Sequence, residues 1–157
     1  MLYSKNEIKT KLQIWREASK IIVFTNGCFD LLHKGHKSLL QAAKNLGDIL
    51  IVGLNSDASV RILKGDNRPI ETQEKRAHKL LKLEFVNGVC IFEDQTPREL
   101  IKLIRPNFLV KGGDYKKSKI VGSRTIKKWN GKVRIVPLLK GYSTSSIIKK
   151  NKREGLV

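Results

Sequence analysis

Five short apolar runs recur along the chain, separated by stretches in which apolar residues fall three or four positions apart. The runs are Lys20–Thr25, Asp48–Leu54, Val86–Phe92, Phe108–Lys111 and Lys132–Pro137. Most lack polar alternation, the pattern of strands buried on both faces. Helices are predicted over 4–18, up to near Gly47, from Ser56 or Asp57 through Leu63, over Thr72–Lys82, and from Thr96-Pro97 to Ile104. Further helix is expected over 120–129 and from Ile147. Ser4 and Glu7 have capping-box spacing, and Ile8, Leu12 and Trp15 share one helical face. Thr96 is expected to cap the helix that follows it, with Pro97 at the first helical position. The alternation predicts an α/β fold: a Rossmann-like open five-stranded parallel sheet with helices on both faces. One domain is expected, with 1–19 as an N-terminal helix and 20–150 as the core.

The stretch Phe24–His36 organises the rest. It runs from a buried strand through Thr25-Asn26-Gly27-Cys28-Phe29-Asp30 into a helix start carrying His33 and His36. A helix N-terminus has unpaired N–H donors and a partial positive charge, which together favour phosphate. Gly27 and Gly35 let the backbone approach a ligand. Gly112-Gly113 and the hydroxyl-rich Ser143–Ser146 also follow strands, on the rim where open α/β sheets bind ligands. Two other readings stay open for the histidines: a zinc site with Cys28, and plain surface residues.

Composition changes this picture only in part. Cys28 and Cys90 do not make a disulfide framework, so a reducing, cytoplasmic setting is expected. No apolar run approaches the ~18 residues of a membrane span, and no membrane partner is expected. The start Met1–Lys5 lacks the apolar core of a signal peptide. The formal charge of +18 is the outlier. It is the excess of 23 lysines and 9 arginines, scattered through every predicted helix, over 14 acidic residues. Without an aromatic-interleaved basic patch, a general lysine bias on solvated faces is the better reading, and no specific nucleic-acid partner is expected.

The His33-Lys34-Gly35-His36 segment resembles the H-x-G-H signature of the nucleotidyltransferase superfamily. With Val52–Asp57, Leu63-Lys64-Gly65, Arg68-Pro69, Val110–Tyr115 and Ser143–Ile148 in order, the chain resembles heptose 1-phosphate adenylyltransferases. The resemblance covers about Lys20 to Lys150. It implies transfer of AMP from ATP to a sugar 1-phosphate, with Mg²⁺ accompanying ATP and a homodimer as the assembly.

The resemblance also implies roles residue by residue. His33, His36 and Lys64 would be catalytic, stabilising charge on the α-phosphate. Phe24, Thr25, Asn26, Gly27, Gly35, Arg76, Gly113, Asp114, Tyr115, Ser143, Thr144 and Ser145 would bind the nucleotide. Asp30, Asn55 and Arg68 would meet the acceptor substrate, and no residue is assigned as a metal ligand. Structural readings compete for several: a turn-capping Asp30, surface charge for Lys64 and Arg76, a plain turn acid for Asp114, an ordinary N-cap for Ser143. Asn87 stands where the family usually has an acid. The competing functions are a CTP-using, glycerol-3-phosphate-type cytidylyltransferase and a non-catalytic phosphate- or nucleic-acid-binding protein.

Overall fold

The structure, a computed structural model, describes residues 1–113, 116–143 and 147–150. Its elements are α1 (Lys5–Glu17), β1 (Ile22–Gly27), α2 (Lys34–Lys44), β2 (Ile49–Asn55), α3 (Asp57–Lys64), α4 (Gln73–Leu81), β3 (Gly88–Phe92), α5 (Arg98–Ile104), β4 (Phe108–Gly112), α6 (Ser123–Ile126) and β5 (Lys132–Val136). The five strands form one parallel sheet in the order β3-β2-β1-β4-β5. The chain therefore begins at the centre, builds outward through β2 and β3, then crosses β1 to lay down β4 and β5. This reversal puts a crevice between the carboxyl ends of β1 and β4. The predicted Rossmann-like parallel sheet is borne out.

Alternation along the strands divides the interior into two cores. Ile22 and Phe24 of β1 face one, with Ile8 and Leu12 of α1 and Leu100, Ile101 and Ile104 of α5. Val23 faces the other, with Leu39, Leu40 and Ala43 of α2 and Ala77 and Leu80 of α4. Full burial of such side chains stabilises by roughly 1.5–3 kcal/mol each before entropy is counted.

The capping box forms as the spacing predicts: Ser4 N donates to Glu7 Oε2 and Glu7 N to Ser4 Oγ. Strand one is shifted from its predicted limits. Ile21 N and Ile22 N donate to the side chains of Asp48 and Asn107, so regular pairing starts only at Ile22 and runs on to Gly27. Pro97, not Thr96, occupies the cap of α5, and no side chain caps it. The expected helix over 120–129 is broken into two 3-10 turns, Lys117–Lys119 and Lys127–Trp129, around α6. Gly122 at φ +89° and Asn130 at φ +61° punctuate it. Asn87 accepts from Leu50 N and Lys44 Nζ at the amino end of β2. Its departure from the family acid therefore bears on the margin of the sheet opposite the crevice. No helix among the described residues is long and apolar enough to cross a membrane.

Candidate active site

The start of α2 is built by two histidines that cap each other. His33 is the N-cap, and its Nδ1 accepts from His36 N at 3.4 Å. His36, three residues on, accepts from His33 N through its own Nδ1 at 3.4 Å. This is capping-box geometry with imidazoles in place of Ser and Glu. The rings stack with centroids 3.7 Å apart and planes 19° from parallel. A Cβ on Gly35 would lie 3.0 Å from His33 Cε1 and 3.2 Å from Tyr142 Cβ, so the glycine between the histidines makes room for the stack.

An Nδ1 that accepts a backbone proton carries none itself, which leaves the hydrogen of each neutral ring on Nε2. Burial lowers the pKa of His33. Burial, then His33 and Lys64, bring His36 to about 4 against a weaker opposing effect of Asp30. Near neutral pH both rings are therefore neutral donors through Nε2–H, beside the free N–H groups of a helix start. The assembly is suited to an anion and unsuited to proton abstraction.

Behind the turn lies a polar brace. Asp30 is buried and accepts from Arg68 Nε at 2.8 Å, Ile70 N at 2.9 Å and Glu71 N at 3.0 Å. Burial alone would raise its pKa, but those three donors outweigh it and hold the carboxyl below its usual value. Arg76, expected to hold phosphates, is instead turned inward, with its side chain fully buried. It donates to Glu71 O, Cys28 O and Asn55 O and pairs with Asp57 at 2.7 Å. Arg68, expected at the acceptor, is bound to Asp30. These residues fix the shape of the site from beneath it.

Phe24 and Thr25 are placed differently from expectation too. Both are wholly buried, Phe24 against Gly53 and Leu100, and the Thr25 hydroxyl has no partner among the described residues. They are core beneath the rim and do not line it.

On the other face of the sheet from α2, a cleft of about 410 Å³ opens at the ends of β1, β2 and β4. Asn26, Gly27, Asn55 and Lys64 line it as a group, together with Cys28 and Lys111. Asn55 Nδ2 donates to Ser59 Oγ at 2.8 Å, fixing its side chain at the start of α3. Lys64 ends α3, is exposed, and makes no hydrogen bond or ion pair among the described residues. Gly113 N donates to Val136 O at 3.0 Å on the same rim. Ser143 O accepts from Ile147 N, opening the helical turn 147–150. Asp114, Tyr115, Thr144 and Ser145 lie outside the described residues.

Two residues were not singled out from sequence. Lys111 is the one charged residue in β4, which is the signal that could have found it. Tyr142 stacks on His33 with centroids 6.4 Å apart, and nothing in its local sequence announces that contact. A second cavity of about 510 Å³ lies between α6 and β5, but no residue of the turn reaches it.

Cys28, His33 and His36 do not gather into a metal site, and no group of three or more His, Cys, Asp or Glu does so among the described residues. The described residues thus build no cage for a Mg²⁺. Asp30 and Asp57 near the turn are held by arginines.

Comparison with known proteins places this fold in a family. Over 149 residues the chain is 52% identical to the bifunctional protein HldE of Wolinella succinogenes, covering 95% of this chain and 31% of that protein. Over 132 residues it is 57% identical to the bifunctional protein HldE of Helicobacter pylori strain G27, covering 84% and 28%. The chain thus spans under a third of the length of these relatives. Among solved structures it superposes on a lipopolysaccharide core biosynthesis protein from Thermoplasma volcanium with a TM-score of 0.64 and 26% identity. That match covers 79% of this chain and 99% of the other. A pantoate-beta-alanine ligase from Francisella tularensis shares the fold at a TM-score of 0.59 and 17% identity, covering 97% and 77%. Residues 24–151 match the cytidylyltransferase-like family, and the chain belongs to it.

Proposed function

We propose that this chain transfers AMP from ATP to a sugar 1-phosphate, D-glycero-D-manno-heptose 1-phosphate being the acceptor that the resemblance implies, with release of pyrophosphate. The observation that carries the reading is the mutual cap of His33 and His36, which leaves two Nε2–H donors at a helix start. Membership of the cytidylyltransferase-like family and similarity to bifunctional HldE proteins support it.

The chemistry needs no strong base. A sugar phosphate has its second pKa near ~6 and is already a dianionic nucleophile at pH 7. Its oxygen forms the new bond to the α-phosphorus as the bond to pyrophosphate breaks, and pyrophosphate leaves with the electron pair. The protein must align two polyanions and meet the charge that builds on the α-phosphate. His33 and His36 donate there through Nε2–H, and Lys64 adds positive charge at the end of α3. Arg76 and Asp30 hold the turn in position. A Mg²⁺ accompanying the nucleotide would offset charge on its phosphates, and no described residue is assigned to hold it.

The test is pyrophosphate release, assayed with each nucleoside triphosphate against a panel of sugar and polyol phosphates. ATP with a heptose 1-phosphate is expected to exceed CTP by at least about tenfold in kcat/KM, equivalent to ~1.4 kcal/mol. A CTP preference with glycerol 3-phosphate would move the chain to the cytidylyltransferase branch. No turnover with any pair would leave a phosphate-binding protein.

A further inference from the structure

Lys111 is in an unusual position for an ammonium group. Along β4, Leu109 packs in the core beneath α1 and α5, and strand alternation sends Lys111 to that same face. The next residue, Gly112, agrees with this direction, since a Cβ there would meet Leu39 of α2 on the opposite face. The Lys111 ammonium has three protons to give but makes a single hydrogen bond among the described residues, to Asn26 O at 3.3 Å. Burial pulls its pKa below the ordinary value, Lys64 adding to this and Cys28 working against it. The described residues lining the cleft include Lys64, Lys111 and Lys119 and no carboxylate. A half-buried ammonium near other lysines, with no counter-charge among the described residues, costs folding free energy, and an anion entering the cleft offsets that cost.

Two anion receptacles therefore flank the end of β1. One is the start of α2 with its histidine pair; the other is the lysine cleft on the opposite face of the sheet. Displacement at phosphorus runs in line, with the attacking and leaving oxygens on opposite sides. If the triphosphate lies along the start of α2, the nucleophile must arrive over the end of β1 from the far side. That side is the Lys111 cleft.

We infer that Lys111 anchors the phosphate of the acceptor in the cleft between β1 and β4, separately from the triphosphate at α2; this rests on the nucleotidyl-transfer reading above. Lys64, on the lining of the cleft, bears electrostatically on both His36 and Lys111. A lysine suits this task because a terminal phosphate is met well by a point charge with rotatable donors. Lys111 thus sets which substrates qualify: a free phosphate monoester of cleft size is accepted, and a neutral alcohol is not.

The test uses Lys111→Met and Lys111→Arg in three measurements. In pyrophosphate-release kinetics, Lys111→Met is expected to raise KM for the sugar phosphate at least about tenfold, with KM for ATP within about twofold and partial rescue by Lys111→Arg. A rise in KM for ATP with an unchanged acceptor KM would overturn the assignment. Thermal melting separates a structural role. Removing an uncompensated ammonium should leave Tm equal or higher, and a lower Tm with both KM values unchanged would make Lys111 a mere clamp on Asn26. The third measurement does not depend on turnover. Cys28 lines the same cleft while Cys90 is buried, so iodoacetamide labelling of Cys28 can be followed by intact mass with and without inorganic phosphate. Phosphate should slow labelling of the wild type and not of Lys111→Met. Such protection without turnover on any substrate would uphold the anion site while rejecting the transferase reading; no protection of the wild type would overturn the inference.

Discussion

Arg76 Nη1 donates to the main-chain carbonyl of Cys28 at 2.6 Å, across 48 positions of sequence. A residue of α4 thereby grips the turn that delivers the histidines, and the same nitrogen takes Asn55 O at 2.8 Å from the end of β2. Arg76→Met would leave the carbonyls of Glu71, Cys28 and Asn55 and the Asp57 carboxylate without their donor. The expected loss is about 3–5 kcal/mol in urea unfolding, because the partners remain buried and polar. Arg76→Lys keeps the charge but not the fork, and should recover only part of the loss. A variant as stable as the wild type would mean that the guanidinium does not brace the turn.

His36→Ala should lower kcat by about 10²–10³, with a much smaller change in KM for ATP, because its Nε2–H contact strengthens as charge builds on the phosphate. An unchanged kcat with raised KM would show uniform binding instead. Steady-state kinetics on the purified variant decides between them.

The same residue governs part of the acid sensitivity. His36 has a pKa of about 4 in the folded chain against 6.5 for an ordinary histidine. Between those values the unfolded chain takes up a proton that the folded chain refuses. Its contribution to stability is complete above pH 6.5 and fades as pH falls toward 4, on the order of 2 kcal/mol after allowance for partial solvation. His33 moves the same way, so His36→Gln should flatten the slope between pH 6.5 and 4 without abolishing it. Urea midpoints at several pH values measure this, and an unaltered slope in His36→Gln would contradict it.

Asp30→Asn keeps the volume but discards the charge that faces Arg68 and two backbone N–H groups. A loss of about 2–4 kcal/mol is expected, since Arg68 is itself only 13% exposed and would be left without its partner. The double variant Asp30→Asn/Arg68→Met should lose less than the sum of the single variants, which a double-mutant cycle would read as coupling.

The +18 charge leads to a further expectation. Binding to a short DNA duplex should be weak and vanish by roughly 0.2 M salt, because scattered lysines supply counterion release without base contacts. Sub-micromolar affinity at that salt, measured by fluorescence anisotropy, would point to a nucleic-acid function.

The strands were legible because a sheet covered on both faces imposes unbroken apolar runs, as in Ile49–Leu54 between Gly47 and Ser56. The Ser4–Glu7 cap was legible because its donors and acceptors are three residues apart. Arg76 was not: an arginine in the first turn of a helix has the same local sequence whether it points to solvent or reaches inward to Cys28 and Asn55. Phe24 and Thr25 misled for a related reason. They adjoin Asn26 in sequence, but strand pleating and one further residue of depth put them under the rim. Lys111 lay within a quoted motif, yet its isolation among Phe108, Leu109 and Val110 acquires meaning only once β4 is known to sit beside β1. The break at Gly122 shows the limit of periodicity where short turns replace a helix.

Leu2 pairs with Val89, and Tyr3 N and Met1 O complete the bonds along the outer side of β3. One margin of the sheet is thereby sealed by the chain itself. Among the described residues β5 has no neighbour on its outer side, which leaves that strand as the single margin open to recruitment. An assembly that grows by strand addition needs two open margins per copy. Here a pairing of two copies would use both and then stop, with exposed Lys132 and Arg134 setting like charges against each other at the seam. Among the described residues the sheet thus offers one open edge, which limits strand addition between copies to a single pairing.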